Sequence, residues 1–215
     1  MPVPTRLPVT FPEQAARRFE ASRAELHALG WTAGLPFRTI AVLTTDLPGE
    51  AIEVAVILED GSSRLHRAKP LGVISPGASR IHGLIADDLR GELPLRSRQR
   101  HLEALLLQSG PDGEPVPTVA WAGRFVSQAL NNSFDTPFNV PLLDLQSAVH
   151  AADLHLNPDS QYRPMLSGML WTVDVPLPDR TSALSMATVT RQVLLALLEG
   201  TPIQHPPRLS ERHST

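Results

Sequence analysis

Chemistry in this chain has to come from carboxylates, imidazoles, hydroxyls and guanidinium groups, because its 215 residues include no cysteine. Disulfides, thiolate nucleophiles and cysteine-held zinc are thereby excluded. Among the 8 histidines, His101, His150 and His155 have no paired H-E-x-x-H spacing, so no zinc-binding helix is marked. Ser79, Ser147 and Ser182 stand in no G-x-S-x-G elbow, which removes the usual hydrolase nucleophile. There is no Walker A loop and no dinucleotide-binding glycine pattern. Arg96, Arg98 and Arg100 form a small basic run, RSRQR. On a helix, 96 and 100 share a face and 98 points away, and a solvated face is the simplest reading.

The charge balance narrows the partners. The formal net charge is -3, so no global basic field advertises nucleic-acid binding, and any such site must be a local patch. Lys69 is the only lysine, so nearly all the basic charge is arginine. That bias reads as the codon usage of a GC-rich bacterial genome. Hydrophobic residues make up 42% and charged residues 19%, an ordinary globular mixture. The length suits one domain with a sizeable core. No apolar run approaches the roughly 18 residues of a membrane span, and the start, MPVPTRLPVT, has no signal-peptide core. The expectation is a soluble, cytoplasmic protein with no membrane partner.

The elements that would position a site follow from periodicity. Residues 1–34 read as a proline-rich lead-in and an amphipathic helix. Thr10 and Glu13 have capping-box spacing, Pro12 suits a first turn, and Gly30 is a natural stop. Phe11, Ala15, Phe19, Ser22, Leu26 and Leu29 line one face of that helix. The face could pack on the domain's own core or receive a partner. Strands are predicted at Arg38 to Leu43, Ala51 to Leu58 and Ser63 to Lys69, the last two joined by the hairpin signal Glu59-Asp60-Gly61-Ser62. A helix is predicted from Leu93 to Leu107, a strand at Thr118 to Trp121, and a helix from about Arg124 to Asn131. A short strand at Val140 to Leu143 leads into a helix ending near Leu154. Further helices are predicted at Met165 to Thr172 and Ser182 to Glu199, and residues 201–215 read as a disordered tail. Three early strands followed by alternating helices and strands predict an α/β domain over residues 35–200 with a mixed sheet. Its first three strands form an antiparallel meander, and later strands join parallel to the first.

Five segments, in order, resemble the DEDDh exonucleases, the DnaQ-like 3′–5′ exonucleases that include the proofreading subunit of bacterial DNA polymerase III. The most similar is SPGASRIHGLIADDL at 75–89, followed by AIEVAVILEDG at 51–61, TVAWAGRFVSQAL at 118–130, PLLDLQSAVHAADL at 141–154 and TSALSMATVTRQVLLALL at 181–198. The resemblance implies a three-layer RNase H-like fold with a mixed five-stranded sheet flanked by helices. It also implies two-metal chemistry, in which Mg²⁺ or Mn²⁺ held by four carboxylates flanks the scissile phosphate and a histidine assists the attacking water.

At the matching positions this chain carries Leu43, Thr45, Val126, Thr181 and Met186. Leucine, valine and methionine cannot ligate a hard cation, and threonine is no base at neutral pH. The resemblance therefore implies a degenerate member, a pseudoenzyme without cofactors that acts by binding single-stranded nucleic acid or a protein partner, itself included as a homo-oligomer. His82, Trp121, Arg124 and Phe125 fall on the substrate side. His82 reads first as a structural histidine, and Trp121 as core filling before a platform for a base. Trp171 is a second tryptophan of the same ambiguity. Two alternatives stand beside this reading. One is an active exonuclease with a rearranged ligand set, Asp46, Glu53 and Asp144, using Mg²⁺ or Mn²⁺. The other is a scaffold or regulatory subunit docking through the N-terminal helix.

Overall fold

Burial on both faces explains why AIEVAVI makes an interior strand of the sheet: every residue of Ala51–Ile57 (β2) is buried, as is every residue of Arg38–Thr44 (β1). The computed structural model describes residues 11–159, 165–166 and 181–200. The lead-in at 1–9, most of the helix predicted at 165–172, Trp171 and the tail from 201 lie outside the described residues. Strand β1 pairs antiparallel with β2, and β2 with Ser63–Arg67 (β3). The turn between β2 and β3 is closed by the Leu58 amide donating to the Ser62 carbonyl at 2.8 Å, with Gly61 at φ +85°, a region that glycine enters without steric cost. Thr118–Ala120 (β4) lies parallel to β1 and Leu142–Asp144 (β5) parallel to β4, giving the order β3-β2-β1-β4-β5. This is the mixed sheet that the sequence predicts.

Alternation along the strands sends side chains to two helical layers. Ile40, Val42, Val54 and Val56 face Gln99–Leu107 (α3) and Gly123–Ser133 (α4). Ala41, Leu43, Ala55 and Ile57 face Ala183–Glu199 (α6). The N-terminal helix, Phe11–Ala28 (α1), joins that second layer together with Leu145–Leu156 (α5). Its stripe is occupied within the chain. Phe19, Ser22 and Leu26 are buried, Arg18 Nε donates to the Asp153 carboxylate at 2.7 Å, and Arg23 Nε donates to the Leu197 carbonyl at 3.0 Å. Leu29, assigned to that stripe from its spacing, lies beyond the helix end and is exposed. The helix predicted at 93–107 divides into a 3₁₀ turn, Leu95–Arg98, and α3. A helix that the periodicity does not mark, Pro76–His82 (α2), follows β3, with a 3₁₀ turn at Ala86–Leu89 after it. No helix among the described residues is long and apolar enough to cross a membrane.

Candidate functional site

A slip in the β1–β2 register between Leu43 and Thr44 opens the end of the sheet where the candidate residues gather. The tight turn after it is held by Thr45, whose amide donates to the Glu50 carbonyl and whose hydroxyl accepts from the Glu50 amide. Gly49 is obligatory there, since a Cβ would collide with the Thr45 hydroxyl and the Asp46 backbone. Helix α2 docks on this turn through the Ser75 amide, which donates to the Thr45 carbonyl at 2.9 Å. The Ser75 hydroxyl caps the helix by accepting from the Ala78 amide, Pro76 opens it, and Gly83 at φ +74° ends it, each a familiar start or stop device.

Between β1, α2 and the first turns of α4 and α6 lies a cavity of about 460 Å³, lined by Leu43, Asp46, His82, Phe125, Thr181 and Met186 among others. Three of the five positions that the resemblance marks as degenerate, Leu43, Thr181 and Met186, thus share one cleft. Two substrate-side candidates, His82 and Phe125, share it too. The other two degenerate positions are packed away. Thr45 is buried in its turn, and Val126 is buried in the core between the sheet and α3/α4. Trp121 is buried with α1, α5 and α6 residues, and its carbonyl accepts from the Gln146 amide at 2.7 Å, so its ring is a core element. Arg124 is exposed at the start of α4. The cavity also takes in Arg80 and the exposed Leu47 and Ile81, none of which stands out in the sequence. The signal that could have found them is the Ser75-Pro76…Gly83 helix punctuation.

His82 is buried, and the Leu84 amide donates to its Nδ1 at 3.0 Å. That bond fixes the neutral tautomer with the proton on Nε2. Burial holds its pKa below the ordinary imidazole value, against a smaller upward pull from the Thr44 carbonyl and Glu53. Glu53, directly across from Leu43, is a buried carboxylate tied on both oxygens. The Ala183 amide donates to Oε1 at 2.8 Å and Arg67 Nε donates to Oε2 at 3.0 Å. Asp144 caps α5 by accepting from the Ser147 amide at 3.0 Å, and its second oxygen accepts from the Arg124 amide at 3.3 Å. The set Asp46, Glu53 and Asp144 is therefore dispersed: one carboxylate in the cavity, one pinning α6 to the sheet, one capping a helix. Among the described residues no group of three His, Asp or Glu side chains could hold a metal ion. Asp46 is the one carboxylate among the described residues lining the cavity, whereas two hard cations need several oxygen ligands.

No protein-family model matches the sequence, and no curated protein matches it. Solved structures do match in shape. The nuclease domain of 3′hExo, a DEDDh family member bound to rAMP, superposes with TM-score 0.60 at 14% identity, covering 83% of this chain and 100% of that one. Exonuclease X in complex with 5′ overhanging duplex DNA gives 0.53 at 16%, covering 77% and 92%. Cell-death related nuclease 4 gives 0.56 at 15%, covering 77% and 65%. At these identities the likeness speaks for the backbone and leaves the site chemistry open. The chain has the DEDDh, DnaQ-like exonuclease fold, an α/β three-layer architecture of RNase H type.

Proposed function

We propose that the chain uses this cavity to bind the end of a single-stranded nucleic acid or a nucleotide, without metal-dependent cleavage. The observation that carries the reading is the lining of the cavity, where Leu43, Thr181 and Met186 stand around a single carboxylate, Asp46. Leu43, Phe125 and Met186 offer apolar surface to a base, and Arg80 at the mouth offers a charge to a phosphate. That solved proteins of this fold were captured with duplex DNA and with rAMP supports a nucleic-acid ligand. With a net charge of -3, binding has to rest on a few local arginines and weakens as salt rises.

Calorimetric titration with Mn²⁺, run beside a nuclease assay and fluorescence anisotropy on single-stranded DNA and RNA, tests this. The expected result is salt-sensitive oligonucleotide binding, no cleavage and no micromolar Mn²⁺ site. Mn²⁺-dependent cleavage abolished by Asp46→Ala would overturn it. A second reading, a protein partner, is favoured by the exposed Leu47 and Ile81 beside the cavity mouth, since apolar anchors rimming a pocket suit a side chain. Docking through α1 has less support, because Phe19 and Leu26 are already buried.

A further inference from the structure

A second group of polar side chains lies on the other face of the sheet, at the β3 edge. Arg64 and His66 pair across the strands with Val56 and Val54, both of which face the α3/α4 layer. Directly paired residues on neighbouring strands share a face, so Arg64 and His66 project toward α3. From that side come Arg98, at the end of the 3₁₀ turn, and His101, on the first turn of α3. The His66 and His101 rings meet edge to face, 5.8 Å apart at 90°. His66 Nε2 and Arg98 Nε are both shielded from solvent and have no hydrogen-bond partner. A buried polar nitrogen left unpaired is destabilising, and each such atom needs an explanation.

Cationic groups dominate the cluster, with Asp60 acting on the outermost of them, Arg64. His66 is held below its ordinary pKa first by burial and then by Arg98, His101 and Arg64; no carboxylate acts on it. Asp60 accepts from the Ser62 amide while also acting on Arg64, whose guanidinium donates to the Ser63 carbonyl at 3.0 Å, and Glu103 accepts from the Gln99 side chain. A transition metal on the two imidazoles would be repelled by the two guanidinium groups, whereas an anion would relieve every one of these contacts.

We propose that Arg64, His66, Arg98 and His101 form an anion site that takes a phosphate group, separate from the cavity and independent of how the cavity is read. Inorganic phosphate or a phosphate monoester presents three or more acceptor oxygens and close to two negative charges near neutral pH; a backbone phosphodiester presents fewer free oxygens and a single charge, and binds the same cationic donors more weakly. The phosphate can belong to a small ligand or to a nucleic-acid backbone, and the experiment separates the two.

The test follows the imidazole resonances of His66 and His101 by NMR while inorganic phosphate is added, with NaCl at matched ionic strength as control. Saturable binding and an upward move of the His66 midpoint are expected, because an anion stabilises the imidazolium. Arg98→Gln should weaken phosphate binding about tenfold, as loss of one charge-assisted contact does. Arg64→Gln alters an exposed side chain, so it remains a valid test if the first variant fails to fold, and it should weaken binding severalfold. A single-stranded 12-mer followed by anisotropy provides the second arm. If its affinity falls in parallel, the phosphate belongs to a nucleic-acid backbone; if it is unchanged while inorganic phosphate binding falls, the ligand is small. A His66 midpoint that does not respond to phosphate, or responds in both arginine variants as it does in the wild type, overturns the site.

Discussion

Replacing Leu43 with aspartate tests whether the cavity floor is apolar core or hydrated cleft. Leu43 is 7% exposed and directly opposite Glu53, whose carboxylate is held by the Ala183 amide and Arg67. Removing the buried leucine side chain forfeits about 2 kcal/mol of transfer free energy. A new carboxylate about 5 Å from Glu53 meets a repulsion of about 3 kcal/mol at an effective dielectric of about 20. Arg67, half exposed, offsets part of this. Taking that charge out of water adds several kcal/mol more, so protonation, which costs about 4 kcal/mol at pH 7 from an ordinary value of about 3.9, caps the charge penalty and the total destabilisation is about 6 kcal/mol. That approaches the whole margin of a marginal domain.

The sign of the pH dependence follows. The introduced group has a native pKa above its unfolded value, so between the two the folded state binds more protons, and the penalty shrinks as pH falls from 7 toward 4. Urea denaturation of wild type, Leu43→Asp and the uncharged Leu43→Asn at pH 7.5 and 4.5 separates transfer from charge. A Leu43→Asp penalty below about 1 kcal/mol, or one that is the same at both pH values, would show a solvated cleft and refute the filled-core reasoning. Adding Thr45→Glu, Val126→Asp and Met186→Asp should deepen the loss. If the four carboxylates converge, Mn²⁺ at 100 times its Kd should return about 2.7 kcal/mol through linkage, and nuclease activity gained on adding Thr181→His would mark an inherited active-site geometry.

Other expected outcomes address the groups that hold the site in place. Glu53→Ala strands the Ala183 amide and should cost about 3 kcal/mol, whereas Arg67→Ala, on a side chain 45% exposed, should cost under about 1 kcal/mol; a double-mutant cycle by chemical denaturation checks both. Glu59→Ala leaves the fully buried Arg38 guanidinium without its bidentate partner, bonded at 2.8 and 3.1 Å, and should cost about 3 kcal/mol in the same assay. Acidification should destabilise the wild type, because buried His82 has a native pKa below its unfolded value, so the unfolded chain binds more protons in that window. His82→Asn, whose amide oxygen can accept from Leu84 in place of Nδ1, should reduce the slope of stability between pH 7 and 5 and leave the share due to His66, whose pKa is also lowered; an unchanged slope would assign the whole effect elsewhere.

What the sequence discloses and what it hides follow from the range of the interactions. The sheet was legible because its signals are local: an unbroken apolar run for β2, a Glu-Asp-Gly-Ser turn after it, and crossover helices between the parallel strands. Helix α2 was missed although its punctuation is also local, because seven residues are too few for periodicity to register and only the serine cap, the proline and the glycine mark it. The cleft positions were legible only through the family resemblance. Nothing in the spacing of Leu43, Thr181 and Met186 brings them together, since they meet through the docking of α6 on β1. The same gap hid the role of Glu53. A lone acid in an apolar strand reads as a possible metal ligand, whereas its carboxylate accepts from an amide 130 residues away. The basic run shows the limit most clearly. Spacing assigns Arg96, Arg98 and Arg100 to a solvated helix, but the chain breaks that helix between 98 and 99. Arg96 stays exposed near Asp135, while the Nε of Arg98 turns inward toward the histidines. Which of the three alternating arginines acts on His66 is decided by how β3 lies against α3, where the His66 and His101 rings meet, a long-range contact that no local pattern encodes.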